Sequence, residues 1–317
     1  MDRAIIKQRA AIKIVLADGD TYTSQGLRNA LTNEGYGDVR TVARLFALRD
    51  VMMAAMFDLL VLDVDLPDGN ALGLVKDIRQ GRLGRNPFLP IIMLTWTSDP
   101  AFVQRAVNSG IDLILVKPVS PARLFSRIDG LVAHRKPFVV TADYVGPDRR
   151  GHDTPGSAQH YDVPNTLRDK MEGRQVDAAA LSDKIDAALH ELNARRLAQA
   201  IEKLACSIEI VCRAIEADEI TDGLEDEFDD LCRVARDIAD IGGPDIRKLC
   251  KPLLKVLHTI RADIDEIDPK QADLLQPLSS TIVLAAGRMM SRHRVMDEID
   301  RTLSSVARDA PTWVLSR

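Results

Sequence analysis

"FDLLVLD", residues 57–63, decides the fold. Its "LLVL" is continuous rather than alternating, the pattern of a strand covered on both faces, and it stops abruptly at a carboxylate. Four further runs share this character: "AIKIVLA" (11–17), "DVRTVA" (38–43), "LPIIMLT" (89–95) and "IDLILVK" (111–117). Amphipathic stretches near 22–34, 44–55, 71–80, 100–109 and 120–134 follow them in turn and read as helices. Five β-then-α repeats predict an α/β fold, a doubly wound five-stranded parallel sheet with right-handed crossovers, over residues 1–135.

Beyond that repeat the chain changes character twice. Residues 136–176, which include "YVGPDRRGHDTPG", carry Pro and Gly without sustained periodicity and read as a linker. Residues 177–317 read as helix throughout. Leu181, Ile185, Leu189 and Leu192 form one stripe, and Leu197, Ile201, Leu204, Ile208, Val211 and Ile215 continue it at near-heptad spacing. "TDG" (221–223), "IGGP" (241–244) and "DPK" (268–270) are breaks, with later segments near 244–266 and 270–308. Four helices, the first the longest, predict an all-α helical bundle as a second domain.

Composition narrows the function classes. A chain of 317 residues supports two domains, and a net charge of −5 offers no global attraction to nucleic acid. No apolar run reaches the ~18 residues of a membrane span. The N-terminus lacks the uninterrupted apolar core of a secretory signal. None of the four cysteines (Cys206, Cys212, Cys232, Cys250) shows C-x-x-C spacing, so reduced core thiols in a cytoplasmic protein are expected.

In open parallel sheets, ligands sit beyond the carboxyl ends of the strands. Those ends carry Asp18 and Asp20 in "VLADGD", Asp63 in "LLVLDVDLPDG", Thr95 in "IIMLTW" and Lys117 in "LILVKPV". Carboxylates, a hydroxyl and an ammonium around one crevice suit phosphoryl transfer to an aspartate. Mg²⁺ is held by one or two carboxylates plus waters, a lysine pairs with a phosphoryl oxygen, and a hydroxyl donates to another.

With those residues in place, 11–134 resembles a CheY-like receiver domain of the two-component response regulators, flavodoxin-like in fold. The resemblance implies that Asp63 is the phosphoacceptor, Thr95 the switch hydroxyl and Lys117 the lysine of a Lys–Pro step. It implies a Mg²⁺ site of Asp18, Asp63 and the backbone carbonyl of Asp65, with Asp20 a further candidate ligand. It also implies a sensor histidine kinase or phosphotransfer protein as partner. The chain's only catalysis would then be its own phosphorylation and dephosphorylation.

Three positions depart from the family pattern. Gly19 stands where the second acidic residue usually supplies a direct metal ligand. Trp96 stands where a small residue normally admits the phosphodonor; the indole either restricts access and slows acyl-phosphate hydrolysis, or simply packs. Ile114 stands where a Tyr or Phe commonly swings inward on phosphorylation.

The helical half shows no basic helix-turn-helix and no nucleotide-binding glycine signature, so output through DNA or cyclic nucleotides is not expected. Its one basic helical patch, "RMMSRHR" (288–294), reads as a solvated face or an interface edge. Protein–protein contact, with a downstream partner or with a second copy through the leucine stripe, is the main expectation. The rival readings are a phosphotransfer histidine at His190, in "ALHELNARRLA", and a pseudo-receiver scaffold that signals without phosphorylation. His258, beside Leu254 and Val256, reads as a half-buried helix residue.

Overall fold

In a computed structural model, residues 3–149, 160–174, 177–217, 222–264 and 267–289 are described. The chain divides into two units, Met1–Asn193 and Ala194–Arg317.

The first unit is built on a five-stranded parallel sheet. After α1 (Arg3–Ala10) come β1 (Lys13–Ala17), α2 (Thr21–Asn33), β2 (Asp38–Val42), α3 (Leu45–Ala54), β3 (Leu59–Asp63) and α4 (Ala71–Arg79). The series continues through β4 (Ile91–Thr95), α5 (Pro100–Asn108), β5 (Leu113–Val116) and α6 (Pro121–Ala133). The strand order is β2-β1-β3-β4-β5, so the chain runs outward to one edge and then returns to the other. This is the predicted doubly wound sheet; β1–β5 and α2–α6 lie within a residue or two of their expected places, whereas α1 was not expected.

The continuous apolar runs are explained by two cores, one on each face. Val15, Leu60, Leu62, Ile91 and Met93 pack with α3, α4 and Ala106 of α5. Their neighbours in sequence, Ile14, Leu16, Leu59, Val61 and Ile92, pack with Leu27 and Leu31 of α2 and with Leu124 and Ile128 of α6. Alternate residues leave a strand on opposite faces, so a strand buried on both faces must be apolar at every position.

The stretch expected as a linker is substantially folded. It holds β6 (Phe138–Val140) and β7 (Val145–Pro147), an antiparallel pair, and α7 (Thr166–Met171). Two glycines allow β7 to lie against the loop before β5: Gly110 has φ +97°, and a Cβ added at Gly146 would come within 2.8 Å of the Gly110 Cα. Leu167 of α7 is fully buried in the α2–α6 core, and Lys170 Nζ donates to Asp58 Oδ2 at 2.6 Å. Such a segment reads as linker because its burial is carried by three-residue strands and isolated anchors, too short to show a period.

Leu181, Ile185 and Leu192 also belong to this first unit. They lie on α8 (Ala178–Glu216) and pack with Phe88, Phe138, Val140, Val145 and Tyr161. The stripe expected to open the helical domain therefore serves the first unit's core up to Asn193.

The second unit is helical, as predicted. Besides the rest of α8 it holds α9 (Asp222–Ile241), α10 (Gly243–Ala262) and α11 (Pro269–Ala272), and residues 275–289 are helical too. Leu197, Leu204, Ile208, Val211, Phe228, Leu231, Ile238, Cys250, Leu253 and Leu257 are buried. Pro244 occupies the first turn of α10, where its missing N–H costs nothing. The basic stretch at 288–294 lies outside the described residues from 290 onward. Not all of the thiols are in the core: Cys232 and Cys250 are buried, whereas Cys206 is exposed. Burial pushes the Cys250 thiol up to about 11. No helix among the described residues is long and apolar enough to cross a membrane.

Candidate functional site

Asp18, Asp63, Thr95 and Lys117 all come to the carboxyl edge of the sheet. Asp63 closes β3 and Thr95 closes β4, while Asp18 follows β1 and Lys117 follows β5 directly. The four side chains are buried. Lys117 Nζ bridges the two carboxylates, donating to Asp18 Oδ2 at 2.9 Å and to Asp63 Oδ2 at 2.7 Å. The outer oxygens are held by the backbone: Asp20 N–H donates to Asp18 Oδ1 at 2.9 Å, and Asp65 N–H to Asp63 Oδ1 at 3.2 Å. The Lys117–Pro118 peptide is cis.

The electrostatics follow from this crowding. Burial raises the Asp18 pKa above its usual value. The Lys117 ammonium and the Asp20 N–H pull it back only in part, and the Asp63 charge adds to the rise. For Lys117 burial works in the opposite sense, disfavouring the ammonium, but the two carboxylates outweigh it and the net shift is upward.

Thr95 stands at the same edge with its own tie. Its Oγ1 accepts the Thr97 N–H at 3.1 Å, which leaves the hydroxyl proton to donate elsewhere. The Lys117 N–H donates to the Thr95 carbonyl at 2.8 Å, fastening the ends of β4 and β5 together.

The candidate ligand Asp20 is used differently. It is exposed and caps α2, with Oδ1 accepting the Tyr22 N–H and Oδ2 accepting both the N–H and the hydroxyl of Thr23. A carboxylate at a helix N-cap satisfies otherwise orphaned N–H groups, and that role takes Asp20 out of the cluster. No group of three metal-ligating side chains is gathered among the described residues. The two buried carboxylates nevertheless fit a hard cation such as Mg²⁺, which takes one or two carboxylates and completes its shell with water.

Gly19 is not forced by its backbone conformation, and an added Cβ would meet Pro67 Cδ at 3.3 Å. Trp96 is 62% exposed, and its ring centroid lies 5.7 Å from Lys117 Nζ. Ile114 pairs with Met93 in the sheet and is partly buried against the α3–α4 core. The Trp96–Lys117 contact escapes sequence reasoning because it joins positions on two neighbouring strand ends. An aromatic residue directly after one of the clustered side chains is the signal that points to it. His190 and His258 are not alike in place: His190 lies on the first unit's part of α8, whereas His258 belongs to the second unit and is exposed, with Nε2 2.7 Å from Arg236 Nη2.

The receiver-like part of the chain is similar to known proteins. Residues 14–129 match the response regulator receiver domain family. The transcriptional regulatory protein GltR of Pseudomonas aeruginosa is 36% identical over 119 residues, covering 38% of this chain and 48% of that protein. The chemotaxis protein CheY1 of Helicobacter pylori (strain 26695) is 29% identical over 37% of this chain and 94% of its own length. A solved structure of the chemotaxis response regulator CheY4 of Vibrio cholerae is 30% identical, covering 37% of this chain and 96% of that one, with a TM-score of 0.34. The chain spans about half the length of the curated transcriptional regulators it matches.

Proposed function

We propose, from the premise that residues 14–129 are a response regulator receiver domain, that this chain is phosphorylated on Asp63 by a partner histidine kinase or phosphotransfer protein. Its output, in this reading, is protein–protein contact made by the helical segment after residue 193. The observation that carries the proposal is the Lys117 ammonium bridging two buried carboxylates at the carboxyl edge of the sheet.

The chemistry is a phosphoryl transfer with little covalent work for the protein. An Asp63 oxygen bonds to the phosphorus of a phosphohistidine as the P–N bond breaks, and the imidazole leaves. Lys117 moves one N–H from Asp63 to a phosphoryl oxygen, and Thr95 donates its hydroxyl proton to another. Mg²⁺, when bound, neutralises the phosphoryl oxygens, and Asp18, Asp63 and the Asp65 carbonyl are the groups that would hold it. Water later cleaves the acyl phosphate and resets the switch.

The chain is not read as a metabolic enzyme. The relatives named as transcriptional regulators share only the receiver stretch, and the acidic α9 has no counterpart to a basic recognition helix. A cytoplasmic location follows from the kinase partnership proposed here.

The test is labelling of the full chain with acetyl phosphate at saturating Mg²⁺, followed by mass spectrometry and lability measurements. A base-labile label on Asp63, absent from Asp63→Asn, is expected. An acid-labile, base-stable label lost in His190→Gln would replace this reading with a histidine relay. No label on Asp63 at all would overturn it.

A further inference from the structure

An ammonium has three N–H donors, and two of those on Lys117 are committed to Asp18 Oδ2 and Asp63 Oδ2. The remaining side of Nζ faces the indole of Trp96, whose ring centroid is 5.7 Å away. That distance is within the range in which an aromatic face attracts a cation electrostatically. Lys117 is therefore enclosed by two carboxylates and one π face, and its side chain is only 2% exposed. Trp96 shields it at the expense of its own exposure, which is unusual for so large an apolar ring.

The backbone fixes this arrangement. The Lys117 N–H donates to the carbonyl of Thr95, the residue just before Trp96, and the Thr97 N–H on its other side is tied to Thr95 Oγ1. The indole is thus carried on a bend whose two flanks are both hydrogen-bonded to the site.

We propose that Trp96 is a positioning residue for phosphoryl transfer, acting through Lys117: its indole face holds the ammonium in the bridging place from which it meets the incoming phosphoryl oxygen. This deepens the reading of Asp63 as phosphoacceptor and rests on it. It also opposes the idea that the indole is merely a door. A door, once removed, speeds entry of a small donor. A positioning residue, once removed, slows transfer at saturating donor, because Lys117 must then be reoriented during the reaction.

The experiment uses the full chain in a Trp313→Phe background, so that Trp96 is the sole indole. Phosphorylation by acetyl phosphate is measured across donor concentration for wild type, Trp96→Phe, Trp96→Leu and Trp96→Ala. The saturating rate is expected to fall by about 2- to 30-fold in both the Leu and Ala variants, the range set by a partly desolvated cation–π contact. Trp96→Phe, which keeps an aromatic face, retains most of the rate, and the donor concentration at half-maximal rate is little changed. A Leu variant as fast as wild type, or an Ala variant as fast or faster, overturns the proposal. A second arm does not depend on phosphorylation: Lys117→Met should shift Trp96 emission, and unchanged emission overturns the contact itself. If wild type takes no label while Lys117→Met does shift the emission, the phosphoacceptor reading fails and the transfer role of Trp96 falls with it.

Discussion

Arg79 and Asp112 form an ion pair closed off from solvent, Nη2 donating to Oδ2 at 2.8 Å with side chains 1% and 2% exposed. Three more Arg79 N–H groups go to the carbonyls of Gly110, Pro87 and Leu89. Arg135, just beyond α6, donates from Nε to Asp112 Oδ1 at 2.7 Å, and the Ile91 N–H also binds Asp112. The Phe138 ring lies beside both guanidinium groups, at 5.2 and 5.0 Å from its centroid. Removing one member of a buried pair leaves an uncompensated charge, at a cost of about 3–5 kcal/mol. Asp112→Ala is therefore expected to lower stability in urea by that order, with loss of Phe138 burial. A loss under ~1 kcal/mol would mean that backbone carbonyls alone satisfy Arg79.

The same carboxylate gives a signed pH dependence. Burial alone would raise the Asp112 pKa, but Arg135 and Arg79 outweigh it and hold it below the usual 3.8. The native state thus binds this proton less readily than the unfolded chain does. The stabilisation is fully present above pH ~4 and is lost as pH falls through the lower native value. Unfolding free energy measured from pH 7 to pH 2 should decline steeply at the acid end. The decline should be shallower in Asp112→Asn, and identical slopes would exclude Asp112 as its source.

A third expectation concerns where the first domain ends. A chain stopped after residue 135 deletes Phe138, Val140, Val145, Tyr161, Leu181, Ile185 and Leu192, which together cover Phe88. Burying each such side chain contributes roughly 1.5–3 kcal/mol before ordering entropy is subtracted. The 1–135 chain should melt well below a 1–193 chain, by ten degrees or more on the order of ~2–4 °C per kcal/mol. Equal melting temperatures would restore 136–176 to the status of a plain linker.

The strands β1, β3, β4 and β5 were legible because burial on both faces leaves an unbroken apolar run, and the candidate site was legible because those four runs end at a carboxylate, a hydroxyl or an ammonium. The hairpin and α7 were not. Tyr161 and Leu167 are single anchors among polar neighbours, and Phe138–Val140 is a run of only three apolar residues, so no period announces them. Arg79 and Asp112 look like ordinary surface charges in sequence, since only the fold brings residues 33 apart into one closed pocket. Asp20 misled for a related reason: a carboxylate beside a metal-ligand position is also a carboxylate at a helix start, and the N-cap role prevailed.

Gly19 stands where the receiver resemblance implies a second acidic residue. Its backbone is not in the left-handed region, so a side chain is allowed there, and the only tight contact for a Cβ is Pro67 Cδ at 3.3 Å. A shift of a few tenths of an ångström accommodates it. A carboxylate at this position would add a third negative charge beside Asp18, whose pKa is already raised by burial and by Asp63. Gly19→Asp should therefore lower the stability of the metal-free protein, by about 1 kcal/mol or more for like charges in a poorly solvated crevice. Magnesium should reverse the sign of that change, since a third carboxylate strengthens its binding and ligand binding stabilises the folded state by mass action. Thermal melts of wild type and variant with and without millimolar Mg²⁺ separate the outcomes. A variant that is destabilised without Mg²⁺ and gains more than wild type on adding it supports a two-carboxylate site short of one ligand. A variant with the same Mg²⁺ increment as wild type would show that position 19 does not reach the metal.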